Sequence, residues 1–235
     1  MDADTWNQHN TGTGHYGRFS NKYYMKNIVC VLLFLASLIF ATPSLTQEVL
    51  AFGNSYTIAK IDNETVGFYG YFDEYSSFKL IEALLVLKPK YLDIDSPGGL
   101  MTEALMLGDF ISQTDIIVVV DEGNECTSAC AFFIISAPQI QLNGKIRFHS
   151  PYLPQIDSTI PLVDIMKKTD IIMLGLIGWF IEFGYTVGLV EIITLNTDLD
   201  TFVVFDNIEN LYKFKNADHI SLPDDYESLL TVEDD

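Results

Sequence analysis

Basic residues are scarce in this chain. Of 235 residues, 13 are Lys or Arg against 32 Asp or Glu, for a formal net charge of −19. A surface that acidic repels phosphate backbones, so no nucleic-acid partner is expected. No Lys or Arg lies between Lys90 and Lys145, which removes any phosphate-binding cation from the middle of the chain. Acyl-CoA chemistry is disfavoured for the same reason, because the cofactor brings phosphates that need a cation. Cysteine is rare too: Cys30, Cys126 and Cys130 are all there are. So few rule out a disulfide-stapled miniprotein, and the pair at 126 and 130 lacks the neighbouring ligands of a zinc site. No metal and no cofactor are expected. Histidine is limited to four residues, and only His149 and His219 lie beyond residue 44. From Glu48 onward there is no repeat and no low-complexity linker.

What is abundant is apolar. Hydrophobic residues make up 49% of the chain, enough to bury a substantial core. Part of that total is one run at 28–41, IVCVLLFLASLIFA, preceded by Arg18, Lys22 and Lys26 and followed by Thr42-Pro43-Ser44. A basic flank, a short apolar run and a small-residue exit mark a secretory signal. The run falls short of the ~20 residues of a membrane span, although an uncleaved anchor tethering the chain to a membrane is the alternative. The sequence divides accordingly into a lead at 1–24, a signal peptide or anchor at 25–44, and a body at 45–235. The expected compartment is the periplasm or another extracytoplasmic space. Residues 1–44 hold three basic and two acidic residues, so the body alone carries −20. An exported body with two cysteines can form one disulfide, here Cys126–Cys130 across a short turn.

The body alternates between strand and helix patterns. Residues 66–72 (VGFYGYF) read as a strand, 75–87 as a helix ended by Lys88-Pro89, and 91–94 as a short strand. After the turn Ser96-Pro97-Gly98-Gly99 come a helix at 100–111, a strand at 116–120, a helix at 128–136 and a strand at 140–149. Residues 163–195 read as a pair of helices whose apolar stretch, 171–183, packs on the body or on another subunit, a second membrane segment being the alternative. A strand at 201–205 follows, and the acidic end at 227–235 is expected to fray. This alternation predicts an α/β fold with a mostly parallel sheet.

Three local features carry chemistry. Asp95-Ser96-Pro97-Gly98-Gly99 joins a strand to a helix, and its two glycines leave backbone N–H groups uncovered, an arrangement suited to developing negative charge. Cys126-Thr127-Ser128-Ala129-Cys130 places a serine among small residues at a loop-to-helix junction. Its plain reading is a helix N-cap; its chemical reading is a nucleophile. Phe148-His149-Ser150-Pro151 ends a strand on a histidine before a proline turn.

In that order, the motifs IDSPGG, the Ser-Ala pair at 128–129 and HSP at 149–151 resemble the proteolytic subunit of Clp protease and its exported relatives in the Clp/crotonase superfamily. The resemblance runs from about residue 66 to 221, and the Cys-x-Ser-Ala-Cys variant looks like a branch of predicted periplasmic proteins there. It implies a ββα superhelix and a homo-oligomer acting on a peptide or protein substrate. Carried over, it makes Ser128 the nucleophile and His149 its base, with Gly98 or Gly99 and Ala129 supplying the oxyanion hole. Where the family places an orienting Asp, this chain has Asn196, with Asp198 two residues on; either is the candidate third member. A related branch, similar to signal peptide peptidases, uses a lysine base, for which Lys167 and Lys168 stand in position. A catalytically inactive binding or assembly module on the same fold is the competing expectation. The deciding quantity is a distance: a Ser128 Oγ within hydrogen-bond reach of a His149 ring nitrogen favours the enzyme.

Overall fold

The computed structural model describes residues 47–151, 162–198, 200–215 and 221–234. The lead at 1–24, the apolar run at 28–41, His219 and the Lys167 side chain lie outside the described residues. Two sheets organise the rest. Strands β1 (Glu48–Phe52), β2 (Tyr56–Lys60), β3 (Thr65–Gly70), β4 (Tyr91–Asp95), β5 (Ile117–Val120) and β7 (Gln139–Leu142) form a six-stranded sheet in the order β1-β2-β3-β4-β5-β7. Its first three strands are antiparallel, and β3, β4, β5 and β7 run parallel. Strands β6 (Glu125–Thr127), β8 (Lys145–Phe148), β9 (Thr201–Phe205) and β10 (Thr231–Asp234) form the second sheet in the order β10-β9-β8-β6.

The helices follow a repeating course. From β4 the chain passes Ser96, which bridges Cys126 of the second sheet, and enters α2 (Met101–Ser112) after α1 (Ser76–Leu87). From β5 it passes β6 and enters α3 (Ala129–Ile134); from β7 it passes β8 and reaches α4 (Leu162–Glu182). Each unit thus visits the large sheet, then the small sheet, then a helix. This is an α/β fold with a largely parallel sheet, as the alternating pattern predicts, and its course is built of ββα units. Among the described residues, helix α5 (Val187–Asn196), the short α6 (Ile208–Tyr212) and a 3-10 turn at Tyr226–Ser228 follow. Among the described residues no helix is long and apolar enough to cross a membrane.

Two sequence expectations are corrected. Residues 140–149 are not one strand: β7 belongs to the large sheet and β8 to the small one, with the turn Asn143-Gly144 between them. Gly144 lies against the carbonyls of Asp121 and Asn124, where a side chain has no room. The acidic end does not fray, because Thr231–Asp234 pairs antiparallel with β9 and Glu233 meets Lys145 at 3.0 Å. Of the charges that argued for a loose tail, Glu233 is paired with Lys145, and the ladder to β9 holds the strand.

Helix α1 starts without a local cap. Glu103, from α2, accepts the backbone N–H groups of Tyr75 at 3.2 Å and Ser77 at 3.0 Å, placing a carboxylate where a helix N-terminus favours negative charge. Beneath the second sheet, Phe132, Phe148, Phe180 and Phe205 pack edge to face, with centroids 5.5 to 6.1 Å apart for the pairs built on Phe132–Phe148, Phe132–Phe180 and Phe148–Phe205. They come from α3, β8, α4 and β9, so this cluster ties the helices that flank the site to the strands that carry it. The Trp179 indole N–H donates to the Phe132 carbonyl at 2.8 Å and adds a polar tie between α4 and α3.

One polar group is buried in the large sheet. Asp93, on β4, accepts the Tyr69 hydroxyl at 2.7 Å, and the Tyr69 ring reaches it by lying over Gly67. Burial, followed by the charges of Asp121 and Asp95, pushes the Asp93 carboxyl above the ordinary carboxylate range despite the Tyr69 bond. Between the ordinary carboxylate value and the raised one, the folded chain therefore holds a proton that the unfolded chain releases. The stability contributed by Asp93 falls as pH rises from the unfolded carboxylate value through the raised folded one. Asp93→Asn keeps an acceptor for Tyr69 and carries no charge. Thermal melts are expected to show a higher Tm for this variant at pH 7, with the gain shrinking as the pH is lowered into the ordinary carboxylate range.

Candidate active site

Strand register brings the three sequence features together. Strands β6 and β8 run parallel, with Cys126 opposite Ile146 and Thr127 opposite Arg147. The Ser128 N–H continues the ladder to the Arg147 carbonyl at 2.9 Å. Both chains then leave the sheet side by side, and Ser128 faces His149. On the other side, the Ser96 N–H donates to the Glu125 carbonyl at 2.7 Å and the Thr127 N–H to the Ser96 carbonyl at 2.8 Å. The Pro-Gly-Gly turn is thereby clamped beside β6, close against Ser128.

The Ser128 Oγ lies 2.6 Å from the His149 Nε2. Ser128 occupies the N-cap position of α3 but makes no capping bond through its side chain. Its backbone sits at φ 58°, ψ −123°, a region that costs a non-glycine residue about 1–3 kcal/mol. A cap has no need of that conformation. A strained strand-to-helix turn that lifts a hydroxyl off the chain is the geometry of a nucleophile elbow. His149 is buried, its Nδ1 lies 2.9 Å from the Ser150 carbonyl, and its ring meets the edge of Phe202 at 5.4 Å. A carbonyl only accepts, so Nδ1 carries the proton and Nε2 presents its lone pair to Ser128. Burial pulls the His149 pKa below its ordinary value, the Ser150 carbonyl opposing it.

Cys126 and Cys130 form a disulfide that spans Ser128, with Cα atoms 5.1 Å apart and both residues buried. Gly98 and Gly99 both have positive φ, at 101° and 133°. A Cβ on Gly98 would stand 2.6 Å from the Ser128 Cβ and 2.9 Å from the Ala129 nitrogen. The two glycines differ in what their N–H groups do. That of Gly98 donates to the Ser96 Oγ at 3.1 Å, whereas those of Gly99 and Ala129 make no hydrogen bond among the described residues.

The remaining sequence candidates lie elsewhere. Asn196 is exposed, and its amide donates to the Ile192 carbonyl at 2.8 Å in its own helix. Asp198 is exposed as well; its Oδ1 accepts the N–H groups of Asp200 and Thr201 at 3.0 Å and shapes the entry to β9. Neither makes a hydrogen bond to His149. Backbone demand explains it: a side chain at a helix end finds unpaired main-chain groups nearer than any distant ring. Lys168 is exposed on α4.

The site opens into a groove of about 730 Å³. Leu100, Met101, Leu105, Phe132, Ile172 and Leu176 give it an apolar lining, and Glu125 and Arg147 add an ion pair at 3.1 Å. The Arg147 guanidinium also stacks over Phe202 at 4.1 Å. The sequence reading missed Phe202, Arg147 and Thr197, whose Oγ1 accepts the Ser150 N–H at 2.6 Å. None carries a local signal; the alternation of β8 and β9 toward one face was the available clue.

No family model matches this chain, and no curated protein matches it. Solved structures do. One of the matching chains is described as the 1510-N membrane-bound stomatin-specific protease, in a serine-to-alanine mutant. It is 17% identical with a TM-score of 0.48, and the match covers 63% of this chain and 74% of that one. At that level it bears on neither activity nor substrate, and the site is described from this chain's own geometry.

Gly98 permits the closest approach in the site, so it supplies a direct test of the packing. Gly98→Ala is expected to lose at least about 1 kcal/mol in urea denaturation, because it adds a side chain at positive φ and against Ser128.

Proposed function

We propose that this chain is an exported serine peptidase of the Clp/crotonase kind, cleaving peptide bonds through an acyl-enzyme on Ser128. The observation that carries the reading is the 2.6 Å approach of Ser128 Oγ to His149 Nε2 from a strained backbone. The Ser128 hydroxyl attacks a substrate carbonyl while Nε2 takes its proton. The resulting oxyanion sits between the N–H groups of Gly99 and Ala129, which are preorganised and need no rearrangement as charge develops. The imidazolium then protonates the leaving amine, and a water molecule, deprotonated by the same nitrogen, releases the acyl group. Gly98 serves this arrangement by leaving space beside Ser128, its own N–H being engaged by Ser96.

Export is supported by the apolar run at 28–41 with its basic flank and by the Cys126–Cys130 bond, which suits an oxidising compartment. A homo-oligomer is proposed on the resemblance and on the outer face of α4. Leu176 and Phe180 of that helix are buried, while Ile171 and Leu174 are 69% and 68% exposed. The same face favours the second reading, a binding or assembly module whose groove holds a peptide without cleaving it.

A fluorophosphonate probe separates the two. The peptidase is expected to form a single adduct on Ser128, none in Ser128→Ala, and to react at least about 100-fold more slowly in His149→Gln. Its rate should rise with pH as His149 loses its proton, with a midpoint below about 6.5 because burial favours the neutral ring. An unreactive native protein, or labelling that survives Ser128→Ala, leaves the binding module as the better account.

A further inference from the structure

Helix α5 ends on Asn196, and the next residue, Thr197, turns extended at φ −129°, ψ 154°. Its hydroxyl donates to the Ile193 carbonyl at 2.6 Å, one helical turn back. A hydroxyl has one proton, so that bond leaves Oγ1 only lone pairs to offer. One of them accepts the Ser150 N–H at 2.6 Å. Ser150 is thus held from its N-terminal side by Thr197. From its C-terminal side it is held by Pro151, since a residue before proline is confined to extended conformations. Pinned at both ends, Ser150 aims its carbonyl at the His149 Nδ1, 2.9 Å away.

Resting on the peptidase reading above, we propose that Thr197 is a positioning residue for His149: it fixes the Ser150 backbone, and through it the tautomer and angle at which His149 Nε2 meets Ser128. The relay is directional. Thr197 O–H points into α5, Ser150 N–H points to Thr197, His149 Nδ1–H points to the Ser150 carbonyl, and Ser128 O–H points to Nε2. Only the tautomer with its proton on Nδ1 satisfies every link. The same carbonyl faces the imidazolium formed during proton transfer and stabilises it as an acceptor. Asn196 stands one residue earlier but spends its side chain on the helix, so the position that serves the histidine is displaced by one residue and acts through backbone.

The test uses the full chain labelled with ¹⁵N-histidine, the His149 signals being identified by their loss in His149→Gln. In the native protein Nδ1 is expected to show the protonated-nitrogen shift and Nε2 the unprotonated one. Thr197→Val keeps the shape and removes the hydroxyl. It should average the two shifts and slow fluorophosphonate labelling of Ser128 by at least about tenfold, in the maximal rate rather than in probe affinity. Thr197→Ser should restore both readouts, and Thr197→Ala provides a second hydroxyl-free variant if the valine does not fold. Native shifts in a folded, hydroxyl-free variant overturn the proposal, as does a Thr197→Ser protein as slow as Thr197→Val. The spectroscopic arm needs no catalysis, so the two claims fail separately. Averaged shifts in a protein whose native form never labels would sink the peptidase reading and keep the positioning role. Rapid native labelling with unchanged shifts in Thr197→Val would do the reverse.

Discussion

The parallel pairing of β6 with β8 is the constraint on which the site depends. Each strand is only a few residues long, and each is followed at once by a residue with chemistry to offer, Ser128 after Thr127 and His149 after Phe148. Pairing Thr127 with Arg147 fixes how far each chain travels before it leaves the sheet. A slip of one residue would turn either Ser128 or His149 to the opposite face, since side chains alternate along a strand. The aromatic cluster of Phe132, Phe148, Phe180 and Phe205 resists that slip, because it needs Phe148 pointing inward. His149 then points the other way, into the groove. Packing below the sheet and chemistry above it are two faces of one register.

Ser128 adds a local cost to this arrangement. Its positive φ is disfavoured by about 1–3 kcal/mol, and several features oppose relaxation. The Ser128 N–H is held by Arg147, the Phe132 N–H reaches the Ser128 carbonyl at 3.3 Å, and the Cys126–Cys130 bond closes the turn. So short a disulfide loop removes less entropy from the unfolded chain than a long one, and it also restricts the turn in the folded state. The two glycines supply the remaining condition, backbone that can approach a serine without a side chain in between.

Charge is arranged differently across the molecule. The body is strongly acidic, yet the groove is mostly apolar, with Glu125 and Arg147 paired inside it. Arg147 also covers Phe202, which in turn packs on His149. This cation therefore has a carboxylate and a ring beside it, which limits how far its charge acts on the imidazole. Burial dominates the His149 environment and favours the neutral ring, the form that can accept a proton.

Most of the regular elements could be read from local pattern. Periodicity at 75–87 and 100–111 located the helices Ser76–Leu87 and Met101–Ser112, and β-branched runs at 116–120 and 201–205 located the strands Ile117–Val120 and Thr201–Phe205. The misses were elements with weak local signals. Strands β1, β2 and β6 are short or exposed, and β10 is acidic; each is a strand because a neighbour offers a ladder, not because its residues demand one. The site divides along the same line. The sequence alone placed a serine among small residues, a glycine pair and a histidine before proline in a telling order, because residue type and order are local facts. It could not decide whether Ser128 caps a helix or faces His149, nor see that Asn196 and Asp198 turn to backbone while Thr197 holds Ser150. Those outcomes depend on register between segments far apart in the chain and on competition for each polar group, and only the tertiary structure settles which partner is nearest.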